Sequence, residues 1–482
     1  MAAPDFDLSR ITAFTLENGM QFIVMERHQA PVATFYTYAD VGSAQEPAGK
    51  TGLAHLFEHM AFKGTETIGT KSFAQEKIAL EAVDQAFLAL RQERSKGRKS
   101  DPKILKKLEE KFAEAQKAAD AFVVPNQFGR IVEQAGGRDM NASTSRDATV
   151  YHFSLPANET ELWFYLESDR FLHPVFREFY KERDVVMQER RMRTESDPVG
   201  RMIEEITAVA YKAHPYGHPT IGHMSDIQNL SRQDAEAFYQ AYYGPENLTA
   251  VVVGDVQPAE IRKLAEKYFG RIPARTRPPI LHTVEPPQVG ERRVRLKLQS
   301  QPILAVAYHQ PGIQDPDYAV YEVLSSLLSE GRSSRLYRSL VQDKKLAVEA
   351  SGFSGFPGEK YPGLFLFYIV AAPGHSNAEV ERALEGEIAR LQNELPTREE
   401  LEGVKRRSRA NLLRQMDDNA EMADQLARMQ GLTGDWRNLF RQLERIAAVT
   451  PEDVQRVSRK TFTPDNRTVA TIEPAEEPAR RQ

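Results

Sequence analysis

Hydrophobic positions near the start of the chain come in short runs: residues 11–16 and 21–25 predict two strands, joined at Asn18-Gly19, a dipeptide favoured in tight hairpin turns. Residues 32–38 predict a third strand. The pattern then changes to steps of three and four. Leu53, Leu56, Phe57, Met60 and Phe62 predict a helix, with no Pro or Gly between Leu53 and Phe62. Leu80, Val83, Phe87 and Leu90 continue the stepping, Ser95-Lys-Gly-Arg-Lys-Ser-Asp-Pro102 breaks it, and Leu105, Leu108, Phe112, Ala115, Ala119 and Phe122 resume it. This predicts a helical hairpin with a coiled-coil-like seam. Its highly charged exterior suits a solvated face or a docking arm for a partner. Gly136-Gly137 and Asn141-Ala-Ser-Thr-Ser145 precede a strand over 149–155, and helices follow over 161–172 and 178–190.

The pattern repeats. Asp234, Pro245, Asn247 and Thr249 recur as Asp453, Pro464, Asn466 and Thr468, each pair 219 residues apart. Each copy reads as a capped helix, a Pro-containing turn and a buried strand. Two copies are too few for a solenoid, so the expectation is a duplicated α+β fold, each half a mainly antiparallel sheet covered by helices. The expected organisation is a first domain over 1–270 with the hairpin inserted at about 73–125, a stiff Pro-rich linker over 271–290, and a second domain over 291–482. That second half opens with a strand at 303–308 and a helix at 318–328. Aligning Gly331 with Gly64 puts Glu322, Ser325 and Ser326 opposite His55, Glu58 and His59, so the second copy is expected to hold no metal.

Composition narrows the chemistry. A chain of 482 residues is too long for one ordinary core. With 41% hydrophobic and 27% charged residues it is globular in character, and no apolar run is long enough to span a bilayer. A net charge of −5 provides no footprint for nucleic acid. The absence of cysteine excludes disulfides, thiolate-ligated metal and thiol nucleophiles, which leaves His and carboxylates for any metal. No signal peptide is visible, and Met1-Ala-Ala-Pro also suits a processed start; the expected compartment is periplasmic if a leader was removed, or cytoplasmic.

The sharpest chemical signal is His55-Leu-Phe-Glu-His59. On a helix, His55 and His59 share one face a turn apart and can share one Zn²⁺, while Glu58 can reach a water on that metal. The order His-x-x-Glu-His is the reverse of the commoner zincin motif. The plainer alternative is two partly buried histidines and a solvated Glu on an amphipathic helix. Downstream, Glu178, Glu182 and Glu189 lie on one predicted helix, and periodicity alone does not select a ligand among them. His214, His218 and His223 form a second histidine group, but Pro215, Gly217 and Pro219 forbid a helix that would align them, so an ordered loop is expected.

His55-Leu-Phe-Glu-His-Met-Ala-Phe-Lys-Gly-Thr65, Asn141-Ala-Ser-Thr144 and Glu182-Arg-Asp-Val-Val-Met-Gln-Glu189 together resemble the pitrilysin/insulinase family of zinc peptidases, in particular the bacterial and mitochondrial two-domain branch that includes the β subunit of the processing peptidase. The resemblance covers nearly the whole chain. It implies one Zn²⁺ per chain held by His55, His59 and a downstream Glu, with Glu58 as general base. The usual family spacing to that Glu lands here on Ala135. The hairpin accounts for the excess, and the Arg-Asp-Val-x-x-x-Glu pattern selects Glu189, with Glu182 orienting a His from behind. The resemblance further implies that peptide substrate adds as a strand near Asn141, Ala142 and Thr144. One departure stands out. Relatives carry an Arg and a Tyr in the second half that bind substrate and stabilise the oxyanion, and Val341 and Val348 stand at those positions here. The expectation is therefore an endopeptidase subunit completed by a homologous partner chain that supplies Arg and Tyr; the alternative is a weakly active or structural, peptide-binding subunit. A homodimer using Arg335, Tyr337 or Arg338 is the third option.

Overall fold

The computed structural model describes residues 8–475. Strands β1 (Ile11–Thr15), β2 (Gln21–Glu26), β3 (Val32–Ala39), β4 (Arg138–Thr144), β5 (Thr149–Pro156) and β6 (Leu248–Gly254) form one sheet in the order β1-β2-β6-β3-β5-β4. Strands β7 (Arg292–Leu298), β8 (Ile303–Gln310), β9 (Ala347–Phe356), β10 (Gly363–Ala371) and β11 (Arg467–Pro474) form a second, in the order β7-β11-β8-β10-β9. Every pairing is antiparallel except β2 with β6 and β7 with β11. The order β2-β6-β3-β5-β4 becomes the second sheet when each strand is moved five places along the chain, so the expected duplication is present as topology. The repeated residues do the same work in both copies. Asn247 Nδ2 donates to Asp40 O (3.1 Å) and Tyr242 O (2.9 Å), and Asn466 Nδ2 to His309 O and Thr461 O (both 2.9 Å). Ser231 with Asp234, and Thr450 with Asp453, close reciprocal caps on the preceding helices.

Central strands such as β6 are buried along their whole length, which requires cover on both faces. One face of the first sheet, with Phe22, Phe35 and Val252, packs on Leu56, Phe57, Trp163 and Phe164 of its own half. The opposite face, with Ile23, Tyr36, Tyr38 and Val251, packs on Met422, Ala423 and Leu426 of the helix Asn419–Thr433, which belongs to the second half. A Cβ on Gly431 would stand 2.1 Å from the Tyr38 ring, so that helix needs glycine where it crosses. The exchange is mutual: Met202, Ile206 and Ala210 of the helix Pro198–Ala210 cover Ala305, Ala307 and Leu366 of the second sheet. Each half thus lends a helix to the other's sheet.

The hairpin consists of helices Phe73–Ser95 and Pro102–Asp120. Its seam is closed by Phe87 against Phe112 (centroids 5.6 Å), and both rings pack on Tyr180 (4.5 and 5.2 Å), which seats the arm against the helix Phe179–Arg190. Towards the tip, Leu105 and Leu108 are only half-buried. Two readings change. The motif helix stops at Met60, two residues before Phe62. β4 was not predicted: Met140 and Ala142 do alternate with exposed Asn141 and Ser143 and pack on the first core, but two apolar residues after Arg138-Asp139 are too short a run to mark a strand. Residues 273–289 form no regular structure, and Glu285 accepts N–H bonds from Lys212, Ala213 and His214 at 2.7–2.9 Å, tying this stretch to the histidine loop.

Candidate metal centre

The helix Leu53–Met60 is held at its N-terminus. Gly52 sits at φ +91°, and a Cβ there would meet Ile221 O at 2.6 Å, so only glycine fits. Buried Glu46 accepts the N–H groups of Gly52 (2.9 Å) and Ala54 (2.7 Å), satisfying amides that a helix start leaves unpaired. Burial pushes the Glu46 carboxyl up to about 8, against the pull of the Ala54 and Gly52 amides. A folded-state pKa above the ordinary 4.5 means that the stability of the protonated form is fully present below 4.5 and is lost as pH rises through about 8. Glu46→Gln is expected to lack this dependence. Urea unfolding should show wild type losing ground to the variant between pH 5 and 8, by at most about 1.4 kcal/mol per pH unit. Parallel pH profiles for the two proteins would contradict it.

The helix carries His55 and His59 on one face, with ring centroids 4.9 Å apart. Phe179–Arg190 crosses alongside and brings Glu189 to them: its Oε2 lies 3.6 Å from His55 Nε2 and 3.6 Å from His59 Nε2. The three donor atoms lie within 4.8 Å of one another, the one such group of three among the described residues. Donors of a tetrahedral zinc site stand about 3.3 Å apart when each is ~2.0–2.1 Å from the ion, so two imidazoles and one carboxylate fit by chemistry and by spacing. Arg193 Nη1 binds the other Glu189 oxygen at 2.7 Å. His59 Nδ1 lies 3.4 Å from Glu182 Oε2, and Lys63 Nζ donates to Glu182 (2.5 Å) and Glu178 (3.2 Å). Glu58 accepts a 2.7 Å bond from the Thr144 hydroxyl on β4.

The fields follow from these contacts. Burial lowers His55 to about 4 and favours neutral imidazole. Burial also opposes charge on His59, but bonds to Glu182 and Glu189 outweigh it and hold the ring up at about 9. The His59 contact depresses the Glu189 carboxyl. Burial raises Glu58, and the Thr144 bond offsets only part of that.

The other expected residues fall as follows. Asn141 and Ala142 lie on β4, whose outer edge pairs with no strand among the described residues; Asn141 is exposed and its Oδ1 accepts the Ala142 N–H at 2.9 Å. The three loop histidines do not converge. His214 is buried and accepts from Tyr216 N–H at 3.2 Å, while His223 lies 3.6 Å from Glu204. In the second half, Ser325 Oγ accepts the Ser354 N–H from β9 at 2.8 Å, mirroring the Glu58 contact with β4. Ser326 donates to Glu330 (2.6 Å) and accepts from Arg407 (3.2 Å), so polar side chains fill the place of the metal centre. Val348 is 54% exposed on β9, and Arg335 is taken up by Glu400 at 2.8 and 2.9 Å. Sequence reasoning missed Glu46, Lys63 and Arg193, and named Glu178 only as one of three carboxylates on its helix, without its contact to Lys63. The spacing of Glu189 and Arg193, four residues apart, was a usable signal for the last; Glu46 had none.

Comparison with known proteins agrees with this architecture. Residues 22–91 and 123–223 match the model described as insulinase (peptidase family M16), and residues 229–408 match that described as peptidase M16 inactive domain. The chain belongs to the M16, or insulinase, peptidase family. The gap from 92 to 122 in the first match falls on the tip and second helix of the hairpin. The chain is 29% identical to the zinc protease PqqE of Helicobacter pylori, over 97% of this chain and 94% of that one. It is 26% identical to the mitochondrial-processing peptidase subunit β of Lentinula edodes, over 92% and 86%. The crystal structure of a protease from Helicobacter pylori superposes with a TM-score of 0.80 at 25% identity, covering 96% of this chain and 99% of that one. A peptidase M16 inactive domain from Pseudomonas fluorescens shares the fold, with a TM-score of 0.75 at 18% identity over 97% and 99%.

Proposed function

We propose that this chain is the zinc-bearing subunit of an endopeptidase that cleaves unstructured peptides, with the chemistry in residues 1–270 and a metal-free second unit in 291–482 beyond the linker 271–290. The observation that carries it is the convergence of His55, His59 and Glu189 beside Glu58. His55, His59 and Glu189 would hold Zn²⁺, which would supply a Lewis acid and lower the pKa of water. Glu58, free of the ligand set and steadied by Thr144, accepts the proton of the attacking water and passes it to the leaving amine. Glu182, backed by Lys63, fixes the orientation of the His59 ring. The free edge of β4 accepts the peptide as an added strand, with Asn141 and Ala142 at its backbone. A homologous partner supplies the Arg and Tyr absent at 341 and 348. The second reading, a weakly active or structural subunit, draws on exposed Val348 and on the description of the model matched by residues 229–408.

Chelation tests the reading. Cleavage of a disordered peptide should vanish on dialysis against a chelator and return with about one equivalent of zinc per chain. An unchanged rate in metal-free protein would contradict it.

A further inference from the structure

The hairpin tip is a concentrated positive charge on an acidic chain. Residues 95–107 contain six basic side chains (Lys96, Arg98, Lys99, Lys103, Lys106 and Lys107) and one acidic one, Asp101, a local net of +5 within a chain of net −5. All six basic residues are exposed. Lys96 pairs with Glu93; the other five have no side-chain partner among the described residues, and Asp101 is engaged in capping the second helix through Lys103 N–H at 2.8 Å. Ile104, 46% exposed, stands among the lysines. The arm is anchored well behind this point, where Arg91 Nη1 donates to Asn229 O at 3.0 Å and Phe87 and Phe112 meet Tyr180. The metal-site residues are on other elements, and the insulinase family model does not match 92–122.

From this juxtaposition we propose that the hairpin tip docks the protein on an anionic lipid surface. Lysine is depleted at specific protein interfaces, which favour aromatic and Arg anchors, and the tip has no aromatic residue. Single-stranded nucleic acid would call for stacking rings that are also missing. A flat anionic membrane asks only for charge density and an apolar side chain able to enter the headgroup layer, and five unpaired cations around Ile104 supply both. Each basic side chain near such a surface raises partitioning by about fivefold, while the negative remainder of the molecule is repelled, so the protein binds tip first.

The test is flotation of the full chain with vesicles of phosphatidylglycerol and phosphatidylcholine (3:7) against pure phosphatidylcholine at low salt. Wild type should float with the first and not with the second, and should be released by roughly 0.5 M NaCl. The triple variant Lys103→Gln/Lys106→Gln/Lys107→Gln should bind at least about tenfold more weakly, and Ile104→Asp should also weaken binding, with peptide cleavage and zinc content unchanged in both. Absence of wild-type flotation with the anionic vesicles, or equal flotation of the triple variant, overturns the proposal. So does equally tight, equally tip-dependent binding to polyglutamate or single-stranded DNA, which would make the tip a general polyanion site.

Discussion

Glu58→Gln is expected to leave zinc at about one ion per chain and to cut peptide cleavage by roughly 10²–10⁴-fold, the scale of a lost general base. Glutamine keeps the shape of the side chain and can still accept the Thr144 hydroxyl bond, so the β4 contact and the helix should persist. What it lacks is an oxygen basic enough to take a proton. His55, His59 and Glu189 are untouched, which separates loss of chemistry from loss of metal. Elemental analysis beside a peptide-cleavage assay checks both halves of the prediction. A variant with full metal and full activity would remove Glu58 from the reaction.

Mixing the chain with its homologous partner is expected to raise cleavage by about 10²–10³-fold over the chain alone, the usual cost of missing oxyanion donors. Val341 packs partly into the second core and Val348 faces outward on β9, and neither side chain can donate a hydrogen bond. Of the three donors named for a homodimer, Arg335, Tyr337 and Arg338, the first is spent on Glu400. The partner's Arg and Tyr should therefore be required: substituting them in the partner should return the rate to that of the isolated chain. Full activity from the purified chain, unchanged by addition of a homologue, would refute the divided site.

The residues that were legible beforehand are those whose role is local or repeated. The helix under His55 and His59 follows from its own stepping, and Asn247 and Asn466 announce the duplication because both make the same two bonds to the backbone. Glu189 is different. Nothing in the periodicity of its helix separates it from Glu178 and Glu182; the Arg-Asp-Val-x-x-x-Glu pattern did, and in the fold the helix turns Glu189 to the histidine Nε2 atoms while Glu182 meets His59 from the Nδ1 side. β4 was not visible because its inward face has only Met140 and Ala142 as apolar residues, too short a run to mark a strand. Nor was the exchange of helices between halves: Met422 and Leu426 mark a buried helix face, but no local pattern says that the sheet beneath belongs to the other half. Glu46 escaped because its carboxylate acts on backbone amides six and eight residues away, through a loop without periodicity.

The most direct test is the zinc content of wild type beside Glu189→Gln and Glu182→Gln, measured by elemental analysis after exhaustive dialysis. The account predicts about one zinc ion per chain in wild type, loss of most of it in Glu189→Gln, and retention with weakened affinity in Glu182→Gln. Full occupancy in Glu189→Gln, or zinc lost only when Glu182 is changed, would contradict it.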